Sequence, residues 1–379
     1  MKTYIEINRE NLVHNLTQLW KLTENIPVMF VVKANAYGHG LKEIVTIAKD
    51  LPFIHYYAVD SVEEALLVRS IDKHKKIVVI GWADNDQLKE MITNEIEFVC
   101  PSVNYLEDVE TLSQELKKAA KVHLKVETGT SRMGMEPSEA LEIINRTDKN
   151  LRLRNIHIIA LYSHFANIED TTDHSYAEHQ MAIFSKLLNQ LGPKEKNLLK
   201  HFSCSASTLL FPRTHFDIVR IGISAYGFWP STATYISYIE KKKPAFQLKP
   251  VLSWYSRVAQ VKWLEKGEAV GYGLTYRSFT RSRIIVVPVG YYDGYDRKLS
   301  DLAIIMVNGI KAPVRGRICM NMFMADVTHL EEVKAGDPVI LIGSHNKETI
   351  TADQLAEICG SISYEVVARI NPLIPRKII

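Results

Sequence analysis

From Asn11 onward, Leu12, Leu16 and Leu19 fall at helical spacing with Val13 and Trp20 beside them, which predicts a helix with one buried face. A different rhythm follows. Short apolar runs rich in β-branched residues recur at Val28–Val32, Tyr57–Val59, Lys76–Ile80, Ile96–Cys100, Val122–Val126, Ile156–Tyr162, His201–Cys204 and Ile218–Ile221, mostly separated by charged, helix-like stretches. Continuous apolar strands alternating with amphipathic helices predict a parallel sheet covered by helices, and these eight units suit an α/β fold of the (β/α)8 barrel type. A doubly wound open sheet is the alternative. The barrel is favoured because Lys33, Arg132, His164, Ser205 and Arg220 each stand at or just after the end of a different strand candidate. In a barrel those ends converge on one face.

Past about Gly227 the pattern changes to strand-like runs at Trp254–Trp263, Ile284–Val289, Ala303–Val307 and Val339–Ile342, with Asn308-Gly309 placed as a type I′ hairpin turn. A mostly β C-terminal domain is expected, with a barrel domain at 1–238 and the second domain at 239–379. The segment from Trp229 to Pro250, with its Tyr, Ser, Thr and Pro, reads as a partly packed connection.

A chain of 379 residues is long for one core and suits one large and one smaller domain. Its 46% hydrophobic and 23% charged residues exclude a disordered chain. The net charge of +3 is too slight to point to nucleic acid or an anionic membrane, and Lys241-Lys242-Lys243 reads as a solvated loop. Cys100, Cys204, Cys319 and Cys359 stand far apart without metal-ligand spacing, so neither a zinc site nor a disulfide framework is expected. Free thiols, no signal-peptide pattern after Met1 and no membrane-length apolar run predict a cytoplasmic protein.

The strongest local signal is Val31-Val32-Lys33-Ala34-Asn35-Ala36-Tyr37-Gly38-His39-Gly40, an apolar strand that delivers a lysine and breaks into a loop of small residues. A half-desolvated amine there can act as a nucleophile or Schiff-base partner. An ordinary surface ion pair is the competing local reading. The whole decapeptide, however, closely resembles the pyridoxal-phosphate attachment motif of bacterial alanine racemases. The resemblance continues in order through Val126-Glu127-Thr128-Gly129-Thr130-Ser131-Arg132-Met133-Gly134, Ser163-His164-Phe165-Ala166, His201 with Ser205-Ala206, and Val219-Arg220-Ile221-Gly222-Ile223. It resumes at Val270-Gly271-Tyr272-Gly273, Pro288-Val289-Gly290-Tyr291-Tyr292-Asp293-Gly294-Tyr295, Arg317-Ile318-Cys319-Met320 and Ser363-Tyr364-Glu365.

That resemblance implies a pyridoxal 5′-phosphate enzyme interconverting L- and D-alanine, which would supply D-alanine for peptidoglycan. Lys33 would carry the cofactor and serve as base on one face, with the partner subunit's Tyr272 as base on the other, in a homodimer with composite sites. Phenols are poor bases at neutral pH, so a nearby cation is needed, and Arg132 is the candidate. The resemblance assigns cofactor binding to Tyr37, His164, His201, Ser205, Arg220, Gly222, Ile223 and Tyr364, and substrate contacts to Arg132, Met320 and Tyr291. It places a carbamylated lysine at Lys125. Arg220 would face the pyridine nitrogen, supported by His201. A permanently charged, donor-only group keeps that nitrogen unprotonated, which weakens the electron sink and limits misprotonation.

Three positions depart from the family pattern: Asn321 for aspartate, Cys204 for asparagine and Thr130-Ser131 for Met-Gly. None removes a catalytic group. Asn321 takes a negative charge from the substrate entrance and could alter preference, but Tyr364 keeps the tyrosine that serine-racemising relatives lack. A barrel-fold decarboxylase would be expected to pair the pyridine nitrogen with a carboxylate, and Arg220 argues against it. A cofactor carrier built on the barrel alone would not need the second domain or Tyr272.

Overall fold

The computed structural model describes residues 1–145, 153–241 and 246–379, so Lys242 and Lys243 of the basic run lie outside the described residues. Two compact units emerge. One comprises residues 12–34 and 45–249, and the other residues 1–11, 35–44 and 250–379.

The first unit holds eight parallel strands. They are β2 (Val28–Val31), β3 (Ile54–Val59), β4 (Lys76–Val79), β5 (Glu97–Cys100), β6 (Ala120–Lys125), β7 (Ile156–Tyr162), β8 (Leu199–His201) and β9 (Val219–Ile221); β1 belongs to the other unit. Neighbours pair in the order β8-β7-β6-β5-β4-β3-β2-β9, each ladder parallel, giving the expected α/β near-barrel. The seam lies between β8 and β9, where no ladder forms. There the Asp217 N–H donates to the Lys200 carbonyl at 3.2 Å and the Asp217 carboxylate lies 3.1 Å from the Lys200 Nζ.

Local chemistry explains the covering helices. Ser61 accepts the Glu64 N–H to start the helix Val62–Ile71, and Asp84 with Gln87 forms a capping box before Asn85–Thr93. Such caps satisfy N–H groups left without intrahelical partners. Within Trp229–Pro250 the structure forms a helix, Thr232–Lys241, and Trp229 packs on Tyr238 and Phe246. The described part of the segment is thus packed, as expected, and carries a helix of its own.

The second unit is built on a ten-stranded sheet. Its first strand, β1 (Thr3–Ile7), was not foreseen, because five alternating residues at a chain end carry little periodicity. β1 pairs antiparallel with β10 (Leu252–Arg257), about 250 residues away, and parallel with a strand at Arg376–Ile378. The run expected at Trp254–Trp263 divides into β10 and β11 (Gln260–Leu264), which join different neighbours. Between Ile304–Val307 and Ile310–Arg315 the hairpin turns as expected, with Asn308 at φ 50° and Gly309 at φ 80°.

Candidate active site

Strand β2 ends in buried Val31, buried Val32 follows, and the backbone then makes a turn over Lys33–Tyr37 in which Ala34, Asn35, Ala36 and Tyr37 all have φ between 52° and 54°. Left-handed backbone costs an L-residue about 1–2 kcal/mol, so four in succession mark stored strain of the kind that clusters at functional sites. Lys33, at the head of the turn, is half-buried, and its Nζ lies 3.5 Å from the Asp60 carboxylate at the end of β3.

Arg220 on β9 is buried and heavily bonded. Its NH1 donates to His201 Nδ1 at 2.7 Å and to the His201 carbonyl at 3.0 Å. Its NH2 donates to the carbonyls of Ser163 at 2.9 Å and Phe202 at 3.0 Å, and faces His164 Nδ1 at 3.1 Å. Guanidinium has no acceptor, so both imidazoles present a bare Nδ1 and carry hydrogen on Nε2. Burial first, and the Arg220 charge second, push both histidines well below the ordinary histidine range, which keeps them neutral. The Arg220 Nε–H alone among its donors has no hydrogen-bond partner among the described residues.

Close by in sequence, the buried Ser205 hydroxyl accepts the N–H groups of Gly222 at 3.1 Å and Ser224 at 3.4 Å. The Ser224 hydroxyl is itself buried with no hydrogen-bond partner among the described residues. A hydroxyl and amides gathered at one point are an anion cradle, and the unmatched hydroxyl is a donor in waiting. Ser224 was missed in the sequence, where it is one small residue among several.

Lys125, at the end of β6, is buried. Burial, then the charges of Arg132 and Arg220, pull its amine from 10.5 down to about 8, against a raising effect of Glu127. Arg132 is exposed on a loop organised by Glu127, whose carboxylate accepts the Thr130 N–H at 2.6 Å. The unusual Thr130 has a physical use, because its hydroxyl donates to the His164 carbonyl at 2.6 Å and ties the two loops together. Cys204 lies 3.8 Å from the Glu169 carboxylate, and burial first, with that charge, pushes its thiol up to about 11, so it is inert as a nucleophile.

The second unit carries its own cleft of about 500 Å³, lined by Tyr272, Tyr291, Arg317, Cys319, Met320 and Asn321 among others. Tyr272 is 72% exposed there. Two loops build this cleft by pairing: the Tyr291 N–H donates to the Cys319 carbonyl and the Tyr292 N–H to the Met320 carbonyl, both at 3.0 Å. Gly290 permits the approach, since a Cβ there would stand 2.1 Å from the Cys319 carbonyl oxygen. Gly290→Ala is therefore expected to destabilise this unit by about 2 kcal/mol, read as a melting temperature lowered by about 4 °C or more. An unchanged melting temperature would show that the loops adjust freely. In the same unit Tyr37 and Tyr364 face each other, ring centroids 6.2 Å apart.

Family models for the alanine racemase N-terminal domain and C-terminal domain match residues 7–230 and 251–378. The chain belongs to the alanine racemase family. It is 38% identical to an alanine racemase of Leptospira interrogans, across all of this chain and 96% of that one. Among solved structures, the alanine racemase of Clostridium difficile 630 superposes with a TM-score of 0.91 at 28% identity, covering this whole chain and 96% of the other. That of Bacillus anthracis with bound L-Ala-P gives 0.88 at 30% identity, over this whole chain and 95% of the other. That of Bartonella henselae with covalently bound pyridoxal phosphate gives 0.85 at 26% identity, over the full length of both. Family membership thus rests on nearly the full length of the chain, and Lys33, Arg220 and Tyr272 fall within the matched segments.

Proposed function

We propose that this protein is a pyridoxal-phosphate-dependent alanine racemase, and the observation that carries the reading is Arg220. Its four bonded N–H groups are held by backbone carbonyls and neutral imidazoles, and its remaining Nε–H suits an acceptor such as an unprotonated pyridine nitrogen. The unmatched Ser224 hydroxyl beside Ser205 and Gly222 suits a phosphate. When bound, pyridoxal phosphate supplies the electron sink that makes an amino-acid α-proton removable.

In this reading the barrel domain is taken as residues 1–238, Lys33, His164, His201, Ser205, Arg220, Gly222 and Ile223 hold the cofactor, and the phenols of Tyr37 and Tyr364 are given to its phosphate. Residues 239–379 form the domain that serves a partner subunit's site. Lys33 Nζ moves the α-proton on one face, and the phenol oxygen of the partner subunit's Tyr272 moves it on the other. Arg132, Met320 and Tyr291 contact the substrate. Arg132 and Arg317 are the cations for the phenolate, and Arg317 packs against Gly273 beside Tyr272 in the same cleft. The exposed Tyr272, Leu274 and Phe279 support a homodimer, since apolar side chains so placed call for cover. The four free cysteines support a cytoplasmic location, and no helix among the described residues is long and apolar enough to cross a membrane.

Incubation with L-alanine and pyridoxal phosphate is expected to yield D-alanine without carbon dioxide. Carbon dioxide without D-alanine would overturn the racemase reading, and faster turnover of serine would overturn the substrate.

Lys125 is proposed to be carbamylated. An amine at about 8 is roughly half free base at pH 8, whereas an ordinary lysine near 10.4 is well under about 1% free, and the resulting anion would stand among cations. Under ¹³C-bicarbonate a carbamate carbon signal is expected that grows as pH rises through about 8 and is missing from Lys125→Ala. A wild-type spectrum without that signal would remove the modification.

A further inference from the structure

The barrel interior carries a line of buried polar side chains that continues beyond Arg220 and His201. His201 Nε2 lies 3.0 Å from His123 Nδ1, and His123 Nε2 lies 2.8 Å from Glu97 Oε2. His123 and His201 have no exposed surface and Glu97 is 4% exposed. The line runs from β9 through β8 and β6 to β5, and β8 and β6 are not sheet neighbours, so the contact between them crosses the interior. Barrel interiors are ordinarily layers of branched apolar side chains, and a buried carboxylate is costly unless paired.

The direction of every hydrogen bond in this line is determined by its ends. Arg220 only donates, so His201 Nδ1 must accept, and its hydrogen sits on Nε2. His201 Nε2–H then donates to His123 Nδ1, which leaves the His123 hydrogen on Nε2, donated to Glu97. A further proton on either ring would set two donors face to face. The two imidazoles are therefore neutral, with a guanidinium at one end and a carboxylate at the other. Burial raises the Glu97 carboxyl, but the His123 hydrogen bond, together with the Lys76 charge and the Tyr56 phenol, holds it below the usual range. At its far side Glu97 faces the Tyr56 phenol and lies 4.0 Å from the Lys76 Nζ.

We propose that Glu97 and His123 are positioning residues for the racemase reaction, holding His201 in the single tautomer that orients Arg220 with its Nε–H free for the cofactor. This rests on the reading in which Arg220 faces the cofactor nitrogen. The logic is that of a carboxylate that selects a histidine tautomer from behind, extended by one imidazole. Without the carboxylate, His123 can invert, His201 can turn an N–H toward Arg220, and the guanidinium loses the shortest of its anchoring bonds, the one to His201 Nδ1.

The test uses the full-length holoenzyme labelled with ¹⁵N-histidine, together with Glu97→Gln and Glu97→Leu. Wild-type spectra should show His123 and His201 as neutral Nε2–H tautomers. Glu97→Gln keeps an acceptor and the shape and should retain both tautomers, and Glu97→Leu should lose them. Cofactor affinity should fall about 10- to 100-fold in Glu97→Leu and less in Glu97→Gln, with kcat falling more than KM changes. Should Glu97→Leu fail to fold, the wild-type tautomers and Glu97→Gln still decide the matter. An imidazolium or an Nδ1–H tautomer at His201 in the wild type overturns the proposal, as does a Glu97→Leu enzyme with unchanged spectra and affinity. Arg220→Lys separates the two levels: unchanged cofactor affinity there would overturn the placement of Arg220, whatever the histidine spectra show.

Discussion

Lys33→Ala is expected to lose the visible absorbance of lysine-bound cofactor and to lower kcat by about 10⁴-fold or more in both directions, because one side chain serves as attachment point and base. The competing amine is Lys125, which is near enough for the Lys33 charge to act on it and, at about 8, is chemically fit to attack an aldehyde. Their settings differ. Lys33 leads a strained left-handed turn, half-open and beside Asp60, whereas Lys125 is buried between arginine charges where an anion is wanted. Borohydride reduction followed by peptide mapping separates them. The label is expected on the peptide containing Lys33, with Lys125→Ala retaining its absorbance. A label on Lys125, or a Lys33→Ala enzyme that keeps its spectrum and rate, would overturn the assignment.

The second large effect concerns two variants that should each be inactive alone. If the partner subunit's Tyr272 completes each site, Lys33→Ala and Tyr272→Phe homodimers both lack a base at every site. A mixed dimer then has one site with both bases and one with neither. Random reassortment of equal amounts makes about half the dimers mixed, so about a quarter of wild-type activity should return on mixing two nearly inactive proteins. Sites built within single chains would recover nothing. The exposure of Tyr272 and its neighbours on the cleft at Met320 motivates the experiment.

Much of the fold was legible from the sequence because its strands are short, apolar and regularly spaced. Burial on both sides of a parallel sheet writes itself into composition, and all eight barrel strands fall at or within a few residues of their expected places. The Asn308-Gly309 turn was legible for an equally local reason, since both positions need positive φ. β1 was not, because its partners lie some 250 and 370 residues away and its own five residues carry no distinguishing signal. The break at Val258–Ala259 was hidden too, because the strands on either side are continuous in hydropathy and differ only in their partners.

At the site, the division follows the same line. The sequence by itself determined which groups are present and the strand ends that carry them: the lysine after β2, the arginine within β9, His164 after β7, His201 at the end of β8 and Ser205 beyond it. These follow from local pattern and motif, which survive without knowledge of neighbours. Only the tertiary structure decided what those groups become. Glu97 and His123 look like polar interruptions in apolar strands until the sheet curls and puts them end to end behind His201. Lys125 is an ordinary lysine until Arg132 and Arg220 stand near it in a buried setting, and Arg220 has one free donor only because carbonyls and imidazoles from β7 and β8 engage the others. Charge, tautomer and hydrogen-bond direction depend on groups a few ångströms away in space, and those neighbours are set by the folding of distant strands into one barrel.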